Sequence, residues 1–324
     1  MQRELTSAIS LELAYVGNRG DNVFIGNGPA LNANEPTLEG FPSVPQNLRR
    51  PFFAGPINGI GGAFGWTQGI DYFCNCGTNS YNSLQTKLTK RFSGGTSLLA
   101  HYTLQKARNH DTSQFFFNPD LQRGAPSNFD RVHNFTLAGV AELPIGRGKP
   151  ILTDISPLAN AFLGGWQFNT NIVIQSGLAL DVTYRGAGAD RDVGPNRPNV
   201  IGDITEGGGT RDHWFNTTPI GSPGSAFERP AVGTFGNMER GGLRGPGYWR
   251  ADASLFKRIA FGGAKELELR AEVINVLNHV NLGDPDTEIG VPGNDNPNAG
   301  KITSTAFFNL DPQRTWQFGL RFKF

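Results

Sequence analysis

The chain has 324 residues, with 43 Gly, 21 Pro and 24 Phe but only 2 Met, which disfavours an α-helical domain and favours strands and turns. A net charge of +1 without any run of Lys or Arg gives no reason to expect a nucleic-acid partner, and two cysteines cannot staple a fold of this size. No stretch of about 18 apolar residues encodes a transmembrane helix.

Period-two alternation is the informative signal, and it predicts strands over 5–16, 81–92, 97–106, 132–143, 166–177, 248–259, 266–277 and 315–324. In the first, Leu5, Ile9, Leu11, Leu13 and Tyr15 oppose Thr6, Ser10 and Glu12. In the fifth, Trp166, Phe168, Ile172 and Ile174 oppose Gln167, Asn169, Asn171 and Gln175. In the seventh, Leu267, Leu269, Ala271 and Val273 oppose Glu266, Glu268, Arg270 and Glu272. The last sets Trp316, Phe318, Leu320, Phe322 and Phe324 against Gln317, Gly319, Arg321 and Lys323.

These segments match the roughly 9–11 tilted residues of a transmembrane β-strand better than the five or six of a soluble one. Tight turns at Ser93-Gly94-Gly95 and at 260–264 alternate with long Gly/Pro/Asn-rich loops at 17–80, 107–130, 178–247 and 278–313, apart from a middling link at 144–165. Short periplasmic turns and long extracellular loops are the pattern of outer-membrane barrels. The fold expected is therefore all-β: about eight antiparallel transmembrane strands in the cell outer membrane, forming one domain over the whole chain. A soluble sandwich alternates too, but strand length, loop asymmetry and the aromatic terminus favour the barrel. With the short turns periplasmic, Tyr15, Tyr81, Trp249 and Trp316 fall at the outer rim and Trp166 at the inner, as an aromatic girdle.

Read as text, the chain resembles the C-terminal half of the Oar-like TonB-dependent receptors. The matching segments are Ala14-Tyr15-Val16-Gly17-Asn18-Arg19-Gly20, Ser80-Tyr81-Asn82-Ser83-Leu84-Gln85 and Ser127-Asn128-Phe129-Asp130-Arg131-Val132-His133. With them come Glu142-Leu143-Pro144-Ile145-Gly146-Arg147-Gly148-Lys149, Gly164-Gly165-Trp166-Gln167, Gly233-Thr234-Phe235-Gly236-Asn237, Leu243-Arg244-Gly245-Pro246-Gly247 and Arg270-Ala271-Glu272-Val273-Ile274-Asn275-Val276-Leu277-Asn278-His279. The resemblance implies the last strands of a plugged barrel of about 22 strands that takes up an unidentified solute. It also implies that final aromatics such as Phe322 and Phe324 form the signal read by the barrel-assembly machinery. Met1-Gln2-Arg3-Glu4-Leu5 lacks the apolar core of a signal peptide, so the chain reads as a fragment, and plug and TonB would meet it only in the full-length protein. The alternatives are a self-contained eight-stranded porin or anchor, and a secreted β-sandwich adhesin.

No enzyme, cofactor or metal site is expected. Cys74-Asn75-Cys76 lacks further ligands at metal spacing and reads as a loop tip with a local disulfide. Gly59–Gly65 has no strand–helix context for a phosphate loop. Asp284-Pro285-Asp286-Thr287-Glu288 alternates carboxylates as calcium loops do, but without flanking helices or a twelfth-position Glu it reads as a solvated loop. The five histidines form no sequence cluster and no Gly-x-Ser-x-Gly elbow occurs. Glu12, Arg91, Arg250, Asp252, Glu268, Arg270, Glu272 and Arg321 fall on polar faces and are expected to line the lumen. On that basis Leu269→Arg should be damaging and Glu268→Arg tolerated.

Overall fold

A computed structural model describes residues 1–24, 31–57, 59–110, 124–186, 188, 190–262, 265–306 and 313–324. Among the described residues nine strands of the main sheet run in chain order: β1 (Gln2–Thr6), β2 (Ile9–Val23), β3 (Gly77–Ser93), β4 (Thr96–Asn109), β5 (His133–Glu142), β6 (Trp166–Gln175), β7 (Tyr248–Gly262), β8 (Lys265–Ile274) and β9 (Thr315–Lys323). Each pairs antiparallel with the next, giving one up-and-down sheet. The short segment Ala125–Pro126 adds to the outer end of β4.

The expected strand at 5–16 is in fact a hairpin. Ser7 and Ala8 turn the chain, and the Thr6 hydroxyl accepts the Ala8 and Ile9 amide N–H groups at 3.3 and 3.1 Å. Arg3 then faces Leu11 and Glu4 faces Ser10. Leu5 and Ile9 keep the same parity on the two sides of the turn, so alternation runs through it and reads as one strand. The extra hairpin extends the short–long rhythm, because its turn lies at the same end as Gly94-Gly95; the Arg91 N–H donates to Ala8 O at 2.8 Å. Gly94 and Gly95 have φ of +60° and +78°, the left-handed pair that a two-residue hairpin turn requires. Gly263 and Ala264 of the expected 260–264 turn lie outside the described residues.

Registers settle which residues share a face. One face carries the rungs Leu13–Thr86–Tyr102–Phe135–Ile174–Trp249 and Leu255–Ala271–Phe318. The other carries Glu12–Lys87–His101–Thr136–Val173–Arg250 and Arg258–Glu268–Arg321. Among the described residues no second sheet covers the apolar face; Phe318 and Leu320 are 75% and 72% exposed. A sandwich would bury that face, so apolar side chains standing open along a whole sheet call for lipid. No described helix is long and apolar enough to cross a membrane.

The packed core lies elsewhere. Val182, Tyr184, Phe215, Ile220, Ala226, Phe227, Met238, Leu243, Ile289 and Val291 form the main cluster, and all belong to the connections after β6 and β8. Short pairings brace it: Thr183–Tyr184 with Glu288–Ile289, and Asn199–Val200 with Phe227–Glu228. The long connections thus fold into a cap at the outer end of the sheet. The strands beneath it reach 14–17 residues in β2, β3, β4 and β7, more than the roughly 9–11 that span a membrane, and so rise toward the cap.

At the inner end, the link between β5 and β6 carries helix α1 (Pro157–Leu163), started by Pro157 and capped by the Ser156 hydroxyl, which accepts the Ala159 N–H at 3.2 Å. Lys257, on the apolar face, turns its ammonium into the carbonyls of Phe162 and Gly164 and lies 5.1 Å from the Trp166 ring centroid. That cation on a lipid-facing strand is therefore satisfied at the rim rather than left in hydrocarbon.

Candidate solute-facing wall and cap cavity

The polar face is a wall of paired charge. Lys87 bonds Glu12 at 3.2 Å, Arg91 bonds Glu4 at 2.9 Å, and Arg250 holds Asp252 at 2.8 Å. Asp252 also accepts the Asn275 N–H at 2.9 Å, tying the wall to the connection after β8. Arg258 and Arg270 converge on Glu268 at 3.0 and 2.6 Å, and Arg321 faces Glu268 across the β8–β9 pair. Glu272 faces Ser254 and Gln317. All eight charged residues expected on the polar side thus share one face, which lines the lumen in a barrel whose other face meets lipid.

Glu268 corrects the expectation that its replacement by Arg is harmless. Its side chain is 3% exposed and sits among three arginines. Glu268→Arg would leave four guanidinium groups without the carboxylate that gathers them. It is expected to unfold at clearly lower denaturant than Gln317→Arg on the same face, as read by heat-dependent gel mobility.

The girdle needs one correction as well. Tyr15, Trp249 and Trp316 lie on the apolar face at the outer end and Trp166 at the inner, with Phe261 near Phe322. Tyr81 faces Asn18, on the polar side, and donates its hydroxyl to Gln105 at 2.9 Å. It belongs to the wall.

Buried arginines lock the cap to the strands. Arg240, 2% exposed, donates to Asn109 O at 2.7 Å and to Asn128 Oδ1 at 3.2 Å. Arg49 pairs with Asp192, joining the first long connection to the third. Arg244 bonds the buried Asp130 carboxylate at 2.7 Å, and Asp130 also accepts the Ala107 N–H at 2.8 Å. Two segments read separately in the sequence, 127–133 and 243–247, therefore meet at one point.

Beside that point lies a cavity of about 790 Å³. Val173 and Gln175 from the polar face of β6 and Tyr248 from β7 form its floor; Leu178, Leu282 and Ser304 belong to the cap. Arg131 and Asp284 also line it. Gly177 and Gly245 are required at its edge: a Cβ on Gly177 would fall 1.8 Å from Gly245 O, and one on Gly245 would fall 2.7 Å from the Asp284 carboxylate. Partial burial lowers the Arg131 pKa, with Asp284 opposing the shift. Partial desolvation raises the carboxyl pKa of Asp284, which stays exposed at the opening, with Arg131 opposing that shift. Neither residue stood out in the sequence as a site: Arg131 was one letter of a matching segment, and Asp284 was part of the calcium-like pattern.

That pattern disperses in space. Asp286 accepts the Glu288 N–H at 2.9 Å and the Asn296 amide at 3.2 Å, while Glu288 bonds Arg185 at 2.7 Å. No group of three or more potential metal ligands occurs among the described residues. The histidines are dispersed too: His133 meets the Tyr102 hydroxyl at 2.8 Å, and His279 stacks on Trp249 with ring centroids 4.1 Å apart. Burial lowers the His279 pKa. Cys74 and Cys76 are joined as a disulfide and pack on Leu31. Phe64, inside the glycine-rich segment, and Trp66, just after it, stack with Phe52.

A sheet with one face open to lipid, one face of paired charge and a folded cap at one end agrees with the family comparison, in which the model of the outer membrane beta barrel domain matches residues 1–317. The chain belongs to the outer membrane beta barrel domain family. It is an outer-membrane protein, and its antiparallel strands are transmembrane strands. No curated protein matches the chain.

Proposed function

We propose that this barrel domain is the last part of a TonB-dependent receptor of the Oar-like kind, which takes up a solute across the outer membrane rather than catalysing a reaction on it. The observation that carries the reading is the open edge at each side of the sheet. Among the described residues β1 pairs only with β2, and β9 only with β8. Lipid offers no partner for exposed backbone N–H and C=O groups, so such edges require further strands. A barrel of about 22 strands with a plugged lumen supplies them. The wall from Glu12 to Arg321 then faces the plug or the passing solute, and a folded cap with a cavity fits ligand capture. TonB, the plug and the barrel-assembly machinery are the partners proposed for the full-length protein.

The test has two readouts. Residues 1–324 are expressed behind a signal peptide, and outer membranes are run cold and boiled on gels; unshifted, aggregated material is the expected result. A heat-dependent shift would instead favour a self-closed porin or anchor, and soluble monomer an adhesin. The complete reading frame is then expressed with and without TonB. Solute uptake should vanish without TonB, and TonB-independent uptake would overturn the receptor reading.

Phe322 and Phe324 stack with centroids 6.3 Å apart, and Phe324 is 95% exposed. Deleting Phe324 from the complete protein is expected to reduce the membrane-inserted, heat-modifiable fraction without changing synthesis. Normal insertion would show that these rings are ordinary lipid-facing residues.

A further inference from the structure

We propose that the cavity between the polar face of β6–β7 and the cap binds a small zwitterionic solute with an apolar body, such as a short peptide, with its carboxylate on Arg131 and its ammonium on Asp284. The inference deepens the receptor reading and rests on it for the side from which the solute arrives.

Two opposite charges line one cavity without neutralising each other. Among the described residues no ion pair within 4.0 Å joins Arg131 to Asp284, or either of them to another side chain. Arg131 spends one guanidinium N–H on Ser176 O at 2.7 Å, which fixes the group at the wall and leaves other donors for a ligand. For both groups, loss of hydration outweighs their mutual attraction as the cause of the pKa shift. Arg131 is half-buried and Asp284 exposed at the opening, so the two charges stand apart on one cavity, and a ligand carrying both charges at a matching separation can meet them together.

The rest of the lining favours an apolar body. Val173, Leu178, Tyr248 and Leu282 supply walls, while Gln175 and Ser304 supply hydrogen-bonding groups. A volume of about 790 Å³ lies within the roughly 300–1,000 Å³ usual for small-molecule sites. The edges are rigid: Gly245 N donates to Leu178 O at 2.9 Å, and Gly283 N donates to Ser304 O at 2.9 Å. A neutral sugar would use the hydrogen-bonding groups and gain nothing from the charges.

The experiment measures equilibrium binding of leucyl-leucine, its N-acetyl form and its C-terminal amide to the purified complete receptor in detergent. The zwitterion should bind at least tenfold more tightly than either blocked form. Asp284→Asn should abolish discrimination against the N-acetyl peptide while keeping discrimination against the amide; Arg131→Gln should do the reverse. This crossed pattern within each variant separates recognition from misfolding, and cold-gel mobility checks that each barrel is closed. Equal binding of all three forms, or no binding at millimolar peptide by a closed barrel, overturns the inference. TonB-dependent uptake of some other solute would leave the receptor reading standing while this one fell; selective peptide binding with TonB-independent uptake would do the opposite.

Discussion

Leu269→Arg is expected to lower barrel stability by about 1–2 kcal/mol, between the cost of a cation at mid-membrane and that near the interface, because its rung also carries Lys257 and Trp166 toward the inner rim. Leu269 lies on the apolar face opposite Lys257 on one side and Leu320 on the other, between the rungs that carry Trp316 and Phe322. The Lys257 ammonium already uses the Phe162 and Gly164 carbonyls, so a second cation beside it would find those acceptors taken. The fair control is Gln317→Arg, on the opposite face and across from Glu272, where a change within about 0.5 kcal/mol is expected. Reversible denaturation of the complete barrel in lipid vesicles, followed by cold-gel mobility, reads both. Equal damage at the two positions would mean that the faces are assigned the wrong way round or that the apolar face does not meet lipid.

The second large effect belongs to the cap. Phe215 is fully buried, and its ring meets Phe227 edge-on with centroids 6.4 Å apart. Phe215→Ala removes a core ring and should destabilise the cap by about 3–5 kcal/mol. Because the main core is built from the connections and the strands gain their apolar environment from lipid, the two regions should separate: protease added outside the cell should cut within 178–247 while barrel mobility stays unchanged. Simultaneous loss of both would show that cap and barrel unfold as one cooperative unit.

Much of the fold was legible because its signal is local. Alternation needs only neighbouring residues, so the strands around Phe168, Leu269 and Phe318, the faces they present and the rhythm of turns and loops could be read without any contact map. That locality also set the limits. Alternation passed unbroken through Ser7-Ala8, because it cannot distinguish a two-residue turn from a continuing strand when the parity is kept. Tyr81 was misplaced on the girdle by its height along the strand, although its odd position beside Ser83 and Gln85 already put it on the polar side.

By itself, then, the sequence determined that this chain makes long antiparallel strands with one face for lipid and one for charge, since side-chain direction in a strand follows directly from residue parity. Only the tertiary structure decided that Glu268 is held among three arginines, that Asp130 and Arg244 pair across more than a hundred residues, and that Arg131 and Asp284 share a cavity. It alone decided that residues from Val182 to Val291 form a common core. Those contacts join connections of irregular backbone, whose geometry follows no period, and they arise only when the sheet brings the outer ends of β4 to β8 together.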